Sequence, residues 1–486
     1  MTDVLTSVLT AFNRFVLVYF FALNTWYLVL IVLAALDIVR YQRREPFAGH
    51  EDRFANPLTP PVSILVPAHN EEAGIVESVR ALLALRYPQF EVIVVDDGST
   101  DRTFDVLRDA FDLVQLPMVI PDLVPTIGAV RSSHVPAGHE PLVVIRKEPA
   151  GRKTDPLNVA INVAHYPLIC AVDADAVLDE GALLRVTKPF VDDPLRTVAT
   201  GGTIRVANGS TLYRGRVLET AMPRSWLARI QVVEYLRAFL LGRSGWSRLQ
   251  GLLIISGAFG LFRRDLVLAV GGYDHAAIGE DADLVARLHR HLRDQKRDYR
   301  VSFVAEPVCW TEAPESLAAL GRQRRRWARG LAEVLKSQRQ MIGNPRYGRI
   351  GLFVLPYFVL FEALGPVVEL AGVAAVVGGL ALGVEDLSFA LLFFVVALGY
   401  GILLSVVSLA LEEFSFHRYE RRRDLVAGLL AAVLEHLGYR QLNAWWRLRG
   451  LLAALRGGES QWGHLQRQGF QTGKELDVSP GRGPAA

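Results

Sequence analysis

The sequence predicts an α/β domain with a mostly parallel sheet, helices on both faces, and membrane-spanning helices on either side of it. Three observations carry this. Short apolar runs at residues 62–67, 91–95, 142–145 and 168–172 read as buried strands. Helical spacing intervenes, as in Ile75, Val79, Leu82 and Leu83, and strands alternating with helices build a parallel sheet. Longer apolar stretches toward both ends meet the roughly 20 residues that a spanning helix needs.

The membrane elements come first in the chain. Hydrophobic residues make up 51% of the 486 residues, and mean hydropathy is +0.24, which a soluble protein seldom sustains over its whole length. The excess sits in two places. Phe15 to Leu36 is broken only by Asn24 and Thr25, and residues 351–411 are broken by Glu362, Glu369, Glu385 and Asp386. Arg40, Arg43 and Arg44 follow the first run. Arg346 and Arg349 precede the second, and His417, Arg418 and Arg421 to Arg423 follow it. Cytoplasmic flanks carry the excess of Lys and Arg, so these flanks and the globular middle are expected in the cytoplasm, with the N-terminus outside. A signal peptide is the competing reading of the first run. It lacks a basic start and a small-residue cleavage site, and the run is too long. Cys170 and Cys309 lie in strand-like stretches and suggest neither a disulfide frame nor a metal cluster.

The expected organisation is an N-terminal transmembrane helix over 1–45, a cytoplasmic domain over 46–345, transmembrane or interfacial helices over 346–457, and a frayed Gly- and Gln-rich tail over 458–486. Residues 117–141 hold five prolines and read as an irregular insertion. Residues 224–241 mix Trp226, Ile230, Val233, Leu236 and Leu240 with Arg224, Arg229 and Arg237. Such a basic amphipathic helix lies in the membrane interface or packs on the domain, with the interface favoured because the chain is already membrane-bound. Gly365-Pro366 should break the next helix. Spans are expected over about 366–383 and 388–411, and residues 424–455 form a further span or a hairpin in the interface. Three to five spans are expected in all.

Four motifs carry chemistry. Asp96-Asp97-Gly98-Ser99 closes the second strand, where open α/β sheets bind ligands. A carboxylate there accepts hydrogen bonds from a ribose or base, or else caps the next helix. No G-x-G-x-x-G follows the first strand; Ala68 to Glu72 stands there instead, which weakens a dinucleotide-binding reading. Asp173-Ala174-Asp175 follows the strand Leu168 to Val172. Residues i and i+2 of an extended segment face one way, so both carboxylates can serve one diphosphate and a hard divalent cation. Gly279-Glu280-Asp281 opens a helix; Asp281 is a candidate general base, with helix capping as the plainer reading. Gln323-Arg324-Arg325-Arg326-Trp327 combines forks that match phosphate oxygens with a flat face for a sugar ring. The plainer reading, a basic helix on anionic headgroups, suits Arg324 and Arg325 better than Gln323 and Trp327. Lys153 and Asn158 are candidates for the donor phosphates and the sheet turn, though a lone Lys is more often simply solvated.

Taken in this order, the motifs resemble those of the processive, membrane-embedded family 2 glycosyltransferases, the synthases of cellulose, hyaluronan, chitin and poly-N-acetylglucosamine. The resemblance covers roughly residues 12–455. It implies the glycosyltransferase A fold, a Rossmann-like mixed sheet, and a hexosyltransferase acting on a nucleotide-sugar. By resemblance, Asp97 would contact the nucleotide and Glu71 would lie on the nucleobase-side loop. Lys153 would meet the donor. Asp173 and Asp175 would serve the diphosphate and a magnesium or manganese ion. Asp281 would be the base, with Glu280 beside it. Gly257, in Ser256 to Gly260, would line the acceptor position, and Gln323, Arg326 and Trp327 would form the Q-x-x-R-W box beside pyrophosphate and growing chain. Gly279 departs from the cellulose-type Thr-Glu-Asp, as in some chitin- and hyaluronan-like members. The implied partners are the donor, a polysaccharide or glycolipid acceptor, membrane lipid and an accessory export subunit, with no nucleic acid. The implied location is the inner (plasma) membrane, multi-pass. Two rivals stay open: transfer of one sugar to a lipid-linked acceptor, and a membrane-anchored nucleotide sensor without turnover.

Overall fold

The structure is a computed structural model that describes residues 2–44, 54, 56, 58–213, 216–416 and 421–457. The expected tail over 458–486 and the flanking His417 and Arg418 lie outside the described residues, as do residues 45–53 at the expected domain boundary.

Among the described residues the main sheet has ten strands. In chain order these are β1 (Val62–Ala68), β2 (Phe90–Asp97), β3 (Leu113–Gln115), β4 (Val130–Pro136), β5 (Leu142–Lys147), β6 (Leu168–Val172), β7 (Val177–Leu178), β8 (Thr197–Val206), then, beyond a small hairpin of β9 (Thr211–Tyr213) and β10 (Arg216–Glu219), β11 (Phe259–Arg263) and β12 (Arg300–Thr311). Their spatial order is β3-β4-β5-β2-β1-β6-β11-β8-β12-β7. The four strands legible in the sequence are the contiguous parallel block β5-β2-β1-β6. A parallel block is covered on both faces, so its strands read as unbroken apolar runs. Successive residues feed opposite cores: Ile93, Val95 and Ile145 pack on one face, and Ile64, Val92, Val94 and Cys170 on the other.

The proline-rich insertion is only partly irregular. Residues 130–136 form β4, antiparallel to β5, and β3 extends that edge. Pro136 ends the strand, where its missing N–H costs least. The remainder is held by side chains of the helix Thr154–Val163. Asn162 Oδ1 accepts from the backbone of Leu123 and Val124, and Asp155 accepts from that of Ile127 and Gly128.

Among the described residues, two helices are long and apolar enough to cross a membrane, Thr6–Arg40 and Leu387–Phe416. A third candidate is bent by 43° where Ile350–Ala363 meets Gly365–Ala381, at the expected Gly-Pro break. The described residues thus offer two spans, or three with the bent pair, at or below the low end of the expected range. Residues 424–455 do not supply another. The helix Arg422–Leu434 gives way at Leu437 and Gly438, whose backbone is non-helical, before the helix Arg440–Arg456. The stretch 224–241 packs against other elements of the protein. Trp226–Tyr235 continues as a π-helical segment Leu236–Gly242 with Ile230, Val233, Leu236 and Leu240 buried, and Arg237 pairs inward with Glu435.

Candidate active site

The site forms where the carboxyl ends of β1, β2 and β6 meet the helices Glu280–Asp294 and Leu317–Ser337. After β1 the chain turns sharply at Asn70, which has φ of +57°. Asn70 Oδ1 accepts from the backbone of Thr100, and the Glu71 N–H donates to Thr103 Oγ1 at 2.8 Å. The loop after β2 thereby fixes the turn that presents Glu71 to the cavity. Asp97 faces elsewhere: it is buried and paired with the equally buried Lys147, and it does not line the cavity. His69, Asn70 and Asp101 line it instead. Asn70 belongs to the turn that resembles the nucleobase-side loop, whereas His69 and Asp101, a few residues from the motifs, gave no signal by residue type alone.

Asp173 and Asp175 both line the cavity. They do so from a turn between β6 and β7 rather than from an extended segment, so the turn and not strand alternation brings them together. Lys153 is far from a solvated lysine. Its side chain is 10% exposed, pairs with Asp173, lies 3.6 Å from Glu280 and donates to the Gly257 carbonyl at 3.0 Å. Burial pulls its pKa down, but Asp173 and Glu280 outweigh that, and the net shift is upward. Burial also raises Glu280, against the pull of Lys153.

Asp281 is held by two backbone donors, Gly257 N at 3.0 Å and Ala282 N at 2.8 Å. Gly257 leaves room for this closeness: a Cβ there would stand 3.2 Å from Glu280 Oε1 and 3.3 Å from Lys153 Nζ, so those side-chain ends would have to give. Asp173, Lys153, Glu280, Gly257 and Asp281 therefore form one connected cluster. Asn158 is not in it. Its amide is buried, bonded to the Pro125 and Tyr273 carbonyls and the Tyr273 N–H. It closes the loop rather than facing a ligand.

The helix carrying Gln323, Arg326 and Trp327 reaches this cluster by a backbone contact between two glycines. A Cβ on Gly330 would lie 2.9 Å from the Gly279 nitrogen, and one on Gly279 would lie 3.3 Å from Gly330. This accounts for glycine at position 279. Gln323, Arg326 and the half-exposed Trp327 all line the cavity. Arg324 does not lie on lipid headgroups as expected. It is 5% exposed, pairs with Glu234 at 2.7 Å and stacks over the Trp327 ring at 4.4 Å. Tyr439 also donates to Glu234, at 2.7 Å.

Glu71, Lys153, Asp173, Asp175, Glu280, Asp281, Gln323, Arg326 and Trp327 open into one cavity of about 2550 Å³. It continues among the apolar helices past Tyr19, Asn24 and Phe361. There its charges are matched: Arg237 with Glu435, Arg440 with Glu369 at 2.9 Å, and Arg447 with Glu362 at 2.9 Å, the last also accepting from Tyr27. Among the described residues no group of three or more His, Cys, Asp or Glu side chains is placed to hold a metal.

Residues 60–330 match the family model described as glycosyltransferase like family 2. The chain belongs to glycosyltransferase family 2. Its mixed sheet, with a parallel block ending in the Asp-x-Asp turn, is the glycosyltransferase A fold. Among its relatives is the poly-beta-1,6-N-acetyl-D-glucosamine synthase of Staphylococcus aureus strain COL, 28% identical over 305 residues, 62% of this chain and 62% of the relative. The synthase of the same name from Staphylococcus epidermidis is 27% identical over 274 residues, 56% of this chain and 55% of the relative. This glycosyltransferase thus spans less than two thirds of the length of the curated relatives it matches. Among solved structures, the mannosyltransferase PcManGT from Pyrobaculum calidifontis, in complex with GDP-Man and Mn2+, has 20% identity and a TM-score of 0.48, covering 87% of this chain and 99% of that one.

Proposed function

We propose that this family 2 glycosyltransferase transfers a sugar, with inversion, from a UDP-sugar to a growing polysaccharide at the cytoplasmic face of the plasma membrane, and that the product leaves between its membrane helices. The single observation that carries this reading is the continuity of the cavity: Asp173, Asp175, Asp281, Gln323, Arg326 and Trp327 line the same space as Tyr19, Glu362 and Glu369 among the apolar helices. A transferase that released one small product would need no such continuation. The relatives, named as polymer synthases, favour N-acetylglucosamine as the sugar. On this reading residues 46–345 are the catalytic domain, and 1–45 with 346–457 anchor it as a multi-pass protein.

Each role follows from position. Asp281, fixed by two backbone N–H groups, takes the proton from the acceptor hydroxyl. That oxygen bonds to the anomeric carbon as the bond from that carbon to the diphosphate oxygen breaks. Arg326 and Lys153 face the departing diphosphate, and Trp327 offers its ring to the acceptor chain. Glu280 tethers Lys153 beside it. Asp173 and Asp175 fit a magnesium or manganese ion, because such ions need only one or two carboxylates when phosphate and water complete the shell; when bound, the ion supplies positive charge for the leaving group. Lys153 stands against Asp173 at that place. Glu71 lies at the nucleobase end. Asp97 acts at one remove, through the loop it braces.

The test is nucleoside-diphosphate release by the detergent-purified protein against UDP- and GDP-sugars, with magnesium or manganese, followed by product sizing. Release with a UDP-sugar and a long product are expected. A product one sugar longer than its lipid acceptor would replace this reading with the single-transfer one.

A further inference from the structure

We infer that Arg243 is an acceptor-binding residue that holds an oxygen of the terminal sugar of the chain beside Asp281. The inference rests on the proposed role of Asp281 and extends it to a residue outside every motif considered above.

Arg243 lines the same cavity as Asp281, Ser256 and Gly257. Its guanidinium lies over the Phe239 ring at 4.1 Å, which fixes its plane without using its N–H groups. Its Nη1 is buried and has no hydrogen-bond partner among the described residues. A buried cationic donor without a partner costs stability. Four other arginines of the cavity contrast with it: Arg237, Arg324, Arg440 and Arg447 each have a carboxylate within ion-pair distance. Asp281 is near enough for its charge to favour the Arg243 cation, which burial disfavours more strongly.

Position selects the ligand. The segment carrying Arg243 packs on the first membrane helix. A Cβ on Gly245 would meet the Leu30 carbonyl at 2.7 Å, and Trp246 stacks with Trp26 at 5.5 Å. Arg243 is thus carried by a segment seated on that long apolar helix and lines the cavity that Asp281 also lines. The acceptor chain, rather than the donor diphosphate, occupies that side. A guanidinium N–H donates only, so its ligand is an oxygen: a ring hydroxyl or an acetamido carbonyl of the acceptor sugar.

The experiment compares wild type with Arg243→Gln and Arg243→Met in detergent. Binding of short N-acetylglucosamine oligosaccharides is followed by intrinsic tryptophan fluorescence, binding of UDP with magnesium by calorimetry, and melting without ligand. Both variants should bind the oligosaccharide roughly 10-fold more weakly or worse, bind UDP as wild type does, and melt at an equal or higher temperature, since an unpartnered buried charge has gone. Unchanged oligosaccharide binding would overturn the proposal. So would UDP binding weakened to the same degree, which would make Arg243 a donor ligand, or lowered melting in both variants, which would make it structural. None of these readouts needs turnover, so they are decided separately from whether the sugar-transfer reading itself holds.

Discussion

The two ends of the cavity handle charge in opposite ways. At the sheet end, the Lys153 ammonium lies against two carboxylates, Asp173 and Glu280, while Asp175 and Asp281 line the same cavity. At the membrane end, three arginines meet three glutamates one to one. An excess of negative charge invites a divalent cation and the diphosphate it accompanies. A cancelled set leaves polar, hydrogen-bonding walls with no net attraction, in a place where an isolated charge is expensive. Under the proposed function, the first end would bind a highly charged donor and act on it, and the second would let a chain of neutral sugars pass.

The sharpest way to break this contrast is at Asp281. Asp281→Asn should lower turnover by ~10²-fold or more, the scale of a lost general base, while UDP-sugar binding persists. Wild-type turnover in the purified variant would remove Asp281 from the mechanism. At the other end, Arg440→Gln leaves Glu369 without its partner in a largely enclosed place and should cost about 3 kcal/mol. The double variant Arg440→Gln with Glu369→Gln should regain most of that in a thermal melt, and a double-mutant cycle measures the coupling. Additive losses would mean that the two charges do not depend on each other.

Gly330→Ala is a subtler test of how the ends are joined. The added methyl would sit 2.9 Å from the Gly279 backbone. It should cost about 1–3 kcal/mol as an overpacked contact, and the helix must shift to relieve it. That shift moves Gln323, Arg326 and Trp327 relative to Asp281, so turnover should fall more than donor affinity does. Equal changes in both would mean that the contact only stabilises the fold.

Much of the candidate site's arrangement was legible because its logic is local. The strand β6 is a plain apolar run, and the Asp-x-Asp turn must follow it. The Gln323 to Trp327 box is contiguous on one helix. What stayed hidden depends on residues far apart in the chain. Arg324 reads as one more basic surface residue until Glu234, 90 positions earlier, is placed against it. Lys153 reads as solvated until Gly257, 104 positions later, closes over it. The strand β4 was masked by flanking prolines, and Asp97 gave no sign that Lys147 would claim its carboxylate. Arg237 looked like an interfacial charge because its partner, Glu435, lies 198 residues on.

The smallest expected effect lies away from both ends, and it tests whether the domain beneath them is as closed as it looks. His289, on the helix that begins at Glu280, is buried, with Nδ1 2.7 Å from the Tyr299 hydroxyl and Nε2 2.9 Å from the Leu252 carbonyl. Burial lowers its pKa to about 4 from the ordinary 6.5. A base whose folded pKa is depressed takes up protons more readily when unfolded. Its contribution is therefore full above pH 6.5 and is lost as the pH falls toward 4. Between pH 7.5 and 6 this should remove about 1 kcal/mol from the domain's stability. His289→Gln keeps a polar side chain but cannot take up the proton, so its melting temperature should fall less steeply over that interval than that of wild type. Parallel pH profiles would show that water reaches His289, and that the floor of the site is more open than its packing implies.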